Sequence, residues 1–246
     1  MSETPDLAAL FGAADVETFL GLPACPELDR LDAPAALIGA PGATPYGSVG
    51  AYCRNAPGAI RAAAASLAAN IDRMNFDLGG PSFPEGCRMP VDCGDLPFDP
   101  VEFAANRAAI AGTTRRILRR GAVPVVLGGD DSVPIPMLEA LGRTGARYTV
   151  LQIDAHIDWR REHMGEAMGL SSTMRRASEM RHVARIIQVG ARSIGSAHPD
   201  DFRDGSLDVL AQHLMACACA APFEEGAMLA EVRSSAPYAR LTGEAF

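Results

Sequence analysis

Residues 126–132, VLGGDDS, end an apolar run in a pair of glycines and two carboxylates. A second stretch of the same kind, IDAHID at residues 153–158, closes the next apolar run. Continuous apolar runs of this length are typical of strands that are buried on both faces of a parallel sheet. Such sheets bind their ligands at the carboxyl ends of the strands. The two stretches therefore decide the predicted fold and mark its predicted functional site.

Apolar runs and helical segments alternate along the rest of the chain. Strands are predicted at residues 35–38, 89–95, 122–129, 148–154 and 185–190. Helices are predicted at residues 58–70, 100–120, 134–141, 172–180 and 199–214. The second helix is expected to have Asp99 as its N-cap and Pro100 in its first position. Because strands separated by helices of this length form βαβ units, the sequence predicts an α/β fold with three layers, α/β/α, around a mainly parallel sheet.

The composition excludes several classes of protein. The 246 residues are 48% hydrophobic and 21% charged, which is ordinary for a folded domain and unlike a disordered chain. No apolar run approaches the ~18 residues of a membrane span. The net charge of −8 opposes nucleic-acid binding, which requires a basic surface. Since the N-terminal residues carry acids and no basic apolar signal, we expect a cytoplasmic protein.

The chain contains no lysine, so all 22 basic residues are arginines. This excludes Schiff-base chemistry, lysine-bound pyridoxal phosphate and the Walker phosphate loop. A dinucleotide-binding oxidoreductase is disfavoured, because no GxGxxG follows the first strand. The six cysteines include no CxxC pair and are expected to be reduced thiols, although a metal-binding role of Cys217 and Cys219 stays open.

Asp154, His156 and Asp158 alternate with two apolar residues directly after a predicted strand. If the chain stays extended there, this spacing points the three side chains toward the same side. Two carboxylates and an imidazole suit a divalent cation of the Mn, Fe or Zn group. The competing interpretation is structural: these residues cap the next helix and pair with Arg160 and Arg161.

The same two stretches resemble motifs of the arginase/agmatinase (ureohydrolase) family. GGDDS at residues 128–132 resembles the GGDHS motif of that family, and DAHID at residues 154–158 matches its DAHxD motif. Further segments that resemble family patterns lie at residues 39–41, 55–61 (compared with GP-x-x-IR), 92–95 (D-x-GD) and 188–192 (Q-x-G-x-R). The resemblance extends from about residue 35 to about residue 203.

The resemblance implies an arginase-like fold and an agmatinase-like activity. Members of this family hydrolyse a guanidino compound to urea plus an amine with two Mn²⁺ ions bridged by a hydroxide, and they are commonly homo-oligomers. By the same resemblance, Asp154 bridges both metals, His156 binds one and Asp158 binds the other, with Asp158 also counted as catalytic. The loop that begins at Trp159 and Arg160 is expected to contact the substrate. An acidic protein mildly favours a cationic substrate such as agmatine.

Two single residues depart from the family pattern. Asp131 stands where the family usually has a metal-binding histidine; we expect it to bind metal, and the alternative is an N-cap for the helix that starts near Pro134. Leu170 stands where many members have a histidine that shuttles protons. His163 is the candidate substitute, and an exposed loop histidine without a role is the alternative.

The second metal motif of the family, S-x-D-x-D-x-x-D-P, does not occur after Arg203. We therefore expect an incomplete ureohydrolase-like domain at residues 1–203, without its last strands, and a divergent tail at residues 204–246. The proposed cause is a shift of reading frame near residue 204 in a GC-rich gene, and the competing idea is a natural short variant. If neither alternative reading frame of the downstream DNA encodes the missing motif, the frameshift hypothesis is wrong. The corresponding alternative function is an inactive metal-binding or subunit-interaction remnant.

Overall fold

Parallel strands joined by helices make up most of the regular structure of the chain. The computed structural model describes residues 16–191, 210, 214, 223–234, 238–244 and 246, and divides the chain into two units, Met1–Ala146 and Arg147–Phe246. The strands are β1 (Ala35–Gly39), β2 (Met74–Asn75), β3 (Gly80–Pro81), β4 (Val91–Asp95), β5 (Val123–Leu127), β6 (Tyr148–Ile153) and β7 (Val183–Val189). The α-helices are α1 (Ala56–Ala64), α2 (Phe103–Arg119), α3 (Pro134–Leu141), α4 (Thr173–Glu179) and α5 (Glu225–Arg233), and 3-10 helices span Phe19–Gly21, Leu28–Arg30 and Ala65–Asn70.

The first unit is built on a three-stranded sheet of order β4-β1-β5, with both pairings parallel. β1 is its central strand, and four of its five residues are buried because neighbours cover both of its edges. Ala36 and Ile38 pack in one apolar cluster with Leu31, Ile117 and other side chains. This core fixes β5, and therefore fixes the strand end at which GGDDS begins. A short antiparallel pair, β2 with β3, is separate from this sheet.

α2 packs on the first sheet through one face, on which buried residues recur every three or four positions. Its buried residues include Ile110, Thr114 and Ile117, which is the spacing of one side of an α-helix. The predicted N-cap of this helix was wrong. The helix begins at Phe103, and the Oδ1 atom of Asp99 instead accepts hydrogen bonds from the amides of Val101 (2.8 Å) and Glu102 (2.9 Å). Asp99 therefore closes a turn ahead of the helix, in the manner of an Asx turn, and the helix itself begins four residues later.

In the second unit, β6 and β7 form a parallel pair, and α4 lies between them in sequence. This is the predicted βαβ unit. The ladder runs from Tyr148 opposite Val183 to Ile153 opposite Val189, so the carboxyl ends of both strands fall at the same edge. The DAHID stretch leaves the sheet at that edge.

The end of the chain contains a helix that the sequence did not predict. α5 begins after Glu224, whose side chain accepts a hydrogen bond from the amide of Ala227 at 2.6 Å and caps the helix. Met228 and Val232 of α5 pack with Leu210 and Leu241 in a small apolar cluster. The helix predicted at residues 199–214 lies almost wholly outside the described residues, and so does the predicted boundary near residue 204; that boundary stays a prediction.

The predicted α/β class and parallel pairing are confirmed, and the five predicted strands occur within a few residues of their expected bounds. The strands are divided between two parallel sheets, whereas we expected one. The apolar side chains of Val123, Leu151 and Ile153 are exposed. Among the described helices, none has the length and apolar character to span a bilayer.

Candidate metal centre

The GGDDS turn of the first unit lies tightly against the segment that follows β1. The amide of Ala40 donates to the carbonyl of Leu127 at 2.9 Å, so this segment continues along the end of β5. A Cβ atom at Gly129 would lie 2.2 Å from the carbonyl oxygen of Pro41, a distance that no side chain tolerates. A Cβ atom at Gly128 would meet nothing within 4 Å. The second glycine of the motif is therefore required by close backbone approach.

Asp130 holds this turn together. Its Oδ1 atom accepts hydrogen bonds from the Ser132 amide (3.0 Å) and from the Ser132 hydroxyl. That hydroxyl in turn accepts from the Thr44 amide at 2.7 Å, and Arg107 donates to the Thr44 hydroxyl at 2.7 Å. Asp130, Ser132 and Thr44 are all buried. The network fixes the backbone on both sides of Asp131.

Asp131 follows Asp130 and is half-buried. The alternative interpretation of Asp131 as a helix cap is wrong, because α3 has Val133 at its N-cap position with no side-chain cap there. Its role as a metal ligand stays a prediction. Burial, the neighbouring Cys53 thiol and the carboxylates of Asp130 and Asp131 raise the pKa of Tyr52 to about 12. The Tyr52 phenol is therefore harder to ionise than an ordinary tyrosine.

The second unit brings Asp154 and Asp158 together at the end of β6. The chain does not stay extended: the Oδ1 atom of Asp154 accepts the His156 amide at 2.7 Å, and Asp158 has a φ of +48°. This φ lies in the left-handed region, which Asp and Asn tolerate better than most residues. Despite the turn, carboxylate oxygens of Asp154 and Asp158 lie within 4.8 Å of each other.

His156 lies beside this pair and is more exposed than the carboxylates. Its Nδ1 atom is 3.4 Å from Oδ1 of Asp154, and 62% of its side chain is accessible, against 30% for Asp154. The hydrogen bond that Asp154 accepts within the described part of the chain, and its contact with His156, both fall on Oδ1. Among the described residues no donor reaches Oδ2 of Asp154, which leaves this oxygen available as a ligand atom.

Asp158 is held by a relay of two glutamines that the sequence analysis did not single out as functional. Nε2 of Gln152 donates to Oδ2 of Asp158. Nε2 of Gln188 donates both to Oε1 of Gln152 and to the carbonyl of Ile157, the latter at 2.8 Å. Gln152 is 9% exposed in the middle of an apolar strand. A glutamine within an apolar strand is the sequence signal that could have identified Gln152, because a buried amide requires a polar partner.

The loop after Asp158 is also anchored. The amide of Arg160 donates to the carbonyl of Ser171 at 3.0 Å, and the carbonyl of Asp158 accepts the amides of Met174 and Arg175 at 3.1 Å each. Asp158 is thus tied to the start of α4 through its backbone and to β6 through its side chain. Trp159 is half-buried in the same loop.

His163, the candidate proton carrier, makes a defined contact. Nη1 of Arg160 lies 2.6 Å from Nδ1 of His163. A guanidinium only donates, so Nδ1 accepts and the ring hydrogen is on Nε2. The backbone of His163 pairs with that of Glu166 in both directions, at 3.0 and 2.9 Å. Arg160 therefore fixes both the ring orientation and the tautomer of His163.

Two further motif segments contribute Arg61, Asp92 and Asp95, and these residues stabilise the fold. Arg61 is buried and makes a two-pronged ion pair with Asp92 at 2.7 and 2.9 Å, and it also contacts Asp95. Burial alone would raise the pKa of Asp92, but hydrogen bonds from Arg61 and from the amides of Phe19 and Gly94 outweigh it and lower this pKa. Asp92 and Arg61 therefore stay charged and join α1 to β4.

Carboxylates with a neighbouring imidazole are a donor set that suits Mn²⁺, and no thiolate competes in these stretches. The chemistry of Asp154, Asp158 and His156 thus suits a divalent cation, and the oxygens of the two carboxylates are also close enough to share one, whereas His156 contacts Asp154 alone of the two. The glutamine relay matches the outer partners that orient metal-binding carboxylates in proteins. The end of β6 is therefore the candidate metal centre.

The fold has counterparts among solved structures. The structure of a hypothetical agmatinase from Burkholderia thailandensis superimposes with a TM-score of 0.61 at 26% identity, covering 74% of this chain and 56% of that one. Residues 33–221 match the sequence model of the arginase family, and the chain belongs to this family. The resemblance seen in the sequence is confirmed.

Two relatives come from Pseudomonas aeruginosa. A guanidinobutyrase is 28% identical over 177 residues, which is 71% of this chain and 52% of the relative. A guanidinopropionase is 31% identical over 203 residues, which is 77% of this chain and 59% of the relative. The chain thus spans little more than half the length of these relatives. The individual ligand assignments stay predictions.

Proposed function

We propose that this chain acts as an agmatinase-like ureohydrolase, a binuclear manganese-dependent hydrolase that converts a guanidino compound to urea plus an amine. The observation that carries the proposal is the pair of carboxylates, Asp154 and Asp158, whose oxygens lie within 4.8 Å at the end of β6 in a chain of the arginase family. Two carboxylates this close together, one of them the buried Asp158, are costly unless a cation compensates their charge.

Asp154, His156 and Asp158 would hold the metal, and Asp131 is carried over as a further ligand from its motif position alone. When bound, Mn²⁺ would supply Lewis-acid activation of water for attack on the amidine carbon. Gln152 would keep one oxygen of Asp158 occupied as an acceptor, so that the carboxylate keeps a fixed orientation.

The loop after Asp158 would form the substrate side of the site. Trp159 offers an apolar face, and Arg160 offers a positive charge next to His163. Because Nδ1 of His163 is occupied by Arg160, a proton would be carried on Nε2. The net charge of −8 attracts a cationic substrate such as agmatine over long distances, whereas a positive charge at Arg160 favours a guanidino acid at short range. The compounds tested as substrates must therefore include a cationic guanidine such as agmatine and also guanidino acids.

The test uses the full chain loaded with Mn²⁺. We expect bound manganese by elemental analysis and urea release from at least one of agmatine, 4-guanidinobutyrate and 3-guanidinopropionate. Asp154→Asn and Asp158→Asn should abolish both, while the exposed Asp72→Asn should change neither. Urea release that persists in Asp154→Asn would disprove the proposed metal centre.

A second candidate function is a remnant of the same fold without catalysis, which binds one metal ion or none, or interacts with other subunits. It is favoured by one observation: the sequence after Arg203 has no S-x-D-x-D-x-x-D-P pattern to supply further carboxylates. One manganese ion or none per chain, with no urea from any of the three compounds, would support this candidate. A homo-oligomeric state and a cytoplasmic location stay predictions.

A further inference from the structure

Cys25 and Cys93 lie side by side at the outer edge of the first sheet. Residues 23–25 run parallel to β4 along the edge that β1 does not cover. The amide of Asp92 donates to the carbonyl of Pro23 at 3.0 Å, and the amide of Cys25 donates to the carbonyl of Asp92 at 2.8 Å. Ala24 is the bridge partner of Asp92. Cys25 and Cys93 each follow one member of that bridge, so the parallel register places them opposite each other.

The two thiols also share their surroundings. Both side chains are half-buried and pack against the same apolar cluster, which contains Leu28 and Ile38. Burial, with the Cys25 thiol as the next contributor, raises the pKa of Cys93 to about 11. Neighbouring strands lie about 4.8 Å apart, which is within the range of about 4.4–6.8 Å that Cα atoms of disulfide-bonded cysteines span.

We propose that Cys25 and Cys93 are an oxidation site at which a low-molecular-weight disulfide closes an intramolecular disulfide bond. The bond would join the segment before β1 covalently to β4 and cover the open edge of the sheet. The inference is independent of the proposed function, since neither cysteine belongs to the candidate metal centre.

The reaction balances with glutathione disulfide as the oxidant. The Cys25 thiolate attacks one sulfur of glutathione disulfide, forms a mixed disulfide and releases one glutathione thiolate. The Cys93 thiol then gives its proton to the released glutathione thiolate, and its sulfur attacks the Cys25 sulfur, closes the protein disulfide and releases the second glutathione. Two protein thiols are oxidised and one glutathione disulfide is reduced to two thiols. Cys25 reacts first, because burial keeps Cys93 protonated.

The experiment is disulfide mapping of the full chain. Trypsin cleaves after Arg30, Arg88 and Arg107, so Cys25 and Cys93 fall in separate peptides that contain no other cysteine. After incubation with glutathione disulfide and alkylation of the remaining thiols, we expect the peptide of residues 1–30 linked to that of residues 89–107. The oxidised chain should unfold at a temperature higher by on the order of 5 °C.

Variants separate this bond from general thiol oxidation. Cys87→Ser removes an exposed cysteine and should leave the linked peptide unchanged. Cys25→Ser should abolish the link and leave Cys93 alkylated. If both cysteines of the wild-type chain remain alkylated while Cys87 is glutathionylated, the proposal is wrong. A link from Cys25 to any other cysteine would overturn it equally.

Discussion

Replacing Gln152 by leucine tests whether the glutamine relay serves a metal. Gln152 is buried in β6, its Nε2 atom donates to Oδ2 of Asp158, and its Oε1 atom accepts from Gln188. Leucine has a similar volume and no polar atom, so the substitution removes both hydrogen bonds and leaves the strand apolar. Asp158 then loses one donor that orients its side chain.

The substitution is expected to weaken metal binding and to lower the stability of the metal-free protein, and the two effects are measured separately. Removing an outer hydrogen-bond partner of a metal ligand typically weakens metal binding by about 10- to 100-fold, which is about 1.4–2.7 kcal/mol. The metal-free protein loses about 1–3 kcal/mol, because a buried carboxylate oxygen and the Gln188 amide each lose a partner. The added apolar surface of leucine offsets part of the second cost.

The assay is a Mn²⁺ titration by isothermal calorimetry, with thermal unfolding of the metal-free protein followed by circular dichroism. Thr149→Val, at an exposed position of the same strand, is the matched control and should leave both quantities unchanged. Gln188→Leu completes a double-mutant cycle. Because the two glutamines act in series, the double variant should bind Mn²⁺ about as weakly as Gln152→Leu alone.

The outcome that refutes the reasoning is a folded Gln152→Leu variant whose Mn²⁺ affinity stays within about twofold of the wild type. The relay would then only stabilise the β6–β7 pair. If the wild-type chain itself binds no Mn²⁺, the result refutes the metal centre as well, and Gln152 becomes a purely structural residue.

Three further predictions concern the first unit. Arg61→Met should destabilise the chain by about 3–5 kcal/mol in urea unfolding, since it leaves the carboxylate of Asp92 buried without its cation; a loss below 1 kcal/mol contradicts this. The folded-state pKa of Asp92 is lowered, so its contribution is complete above the unfolded value of about 3.9 and is lost as the pH falls through the folded value; melting curves of Asp92→Asn should respond less to acid in that range. Gly129→Ala should cost about 1–3 kcal/mol because its Cβ atom meets the Pro41 carbonyl, whereas Gly128→Ala should be nearly neutral, and equal effects would show that the approach is not tight.

Much of the fold could be predicted from the sequence where one physical cause dominates. β5 and β6 are apolar runs with no competing helical period, and both occur within two residues of their predicted bounds. α3 has its predicted limits, Pro134–Leu141, because proline fixes its first turn and Gly142 follows its last residue. Strands and helices of this kind can be located from the sequence because their local residue preferences agree with the structure that packing favours.

The remainder could not be predicted because it depends on contacts between segments distant in sequence. The N-cap prediction for Asp99 was wrong because α2 begins only at Phe103, and the backbone of Asp99 is instead bound by the Asn106 side chain within that helix. The turn at Asp158 follows from its ties to Gln152 and α4, neither of which the alternation of residues 154–158 reveals. α5 depends on the Glu224 cap and on a cluster of its own, and its sequence shows only weak periodicity.

The aspartates in the family motifs have two different tasks, and their hydrogen bonds tell these tasks apart. Asp92 directs both oxygens at Arg61, and Asp130 binds the Ser132 hydroxyl and amide, so each compensates its charge inside the protein. Asp154 differs: the single hydrogen bond that it accepts in the described part of the chain falls on Oδ1, and a carboxylate oxygen of Asp158 lies within 4.8 Å. Two adjacent carboxylates repel each other unless a proton or a cation lies between them. The electrostatic case for a cation is therefore stronger at the end of β6 than at Asp92 or Asp130.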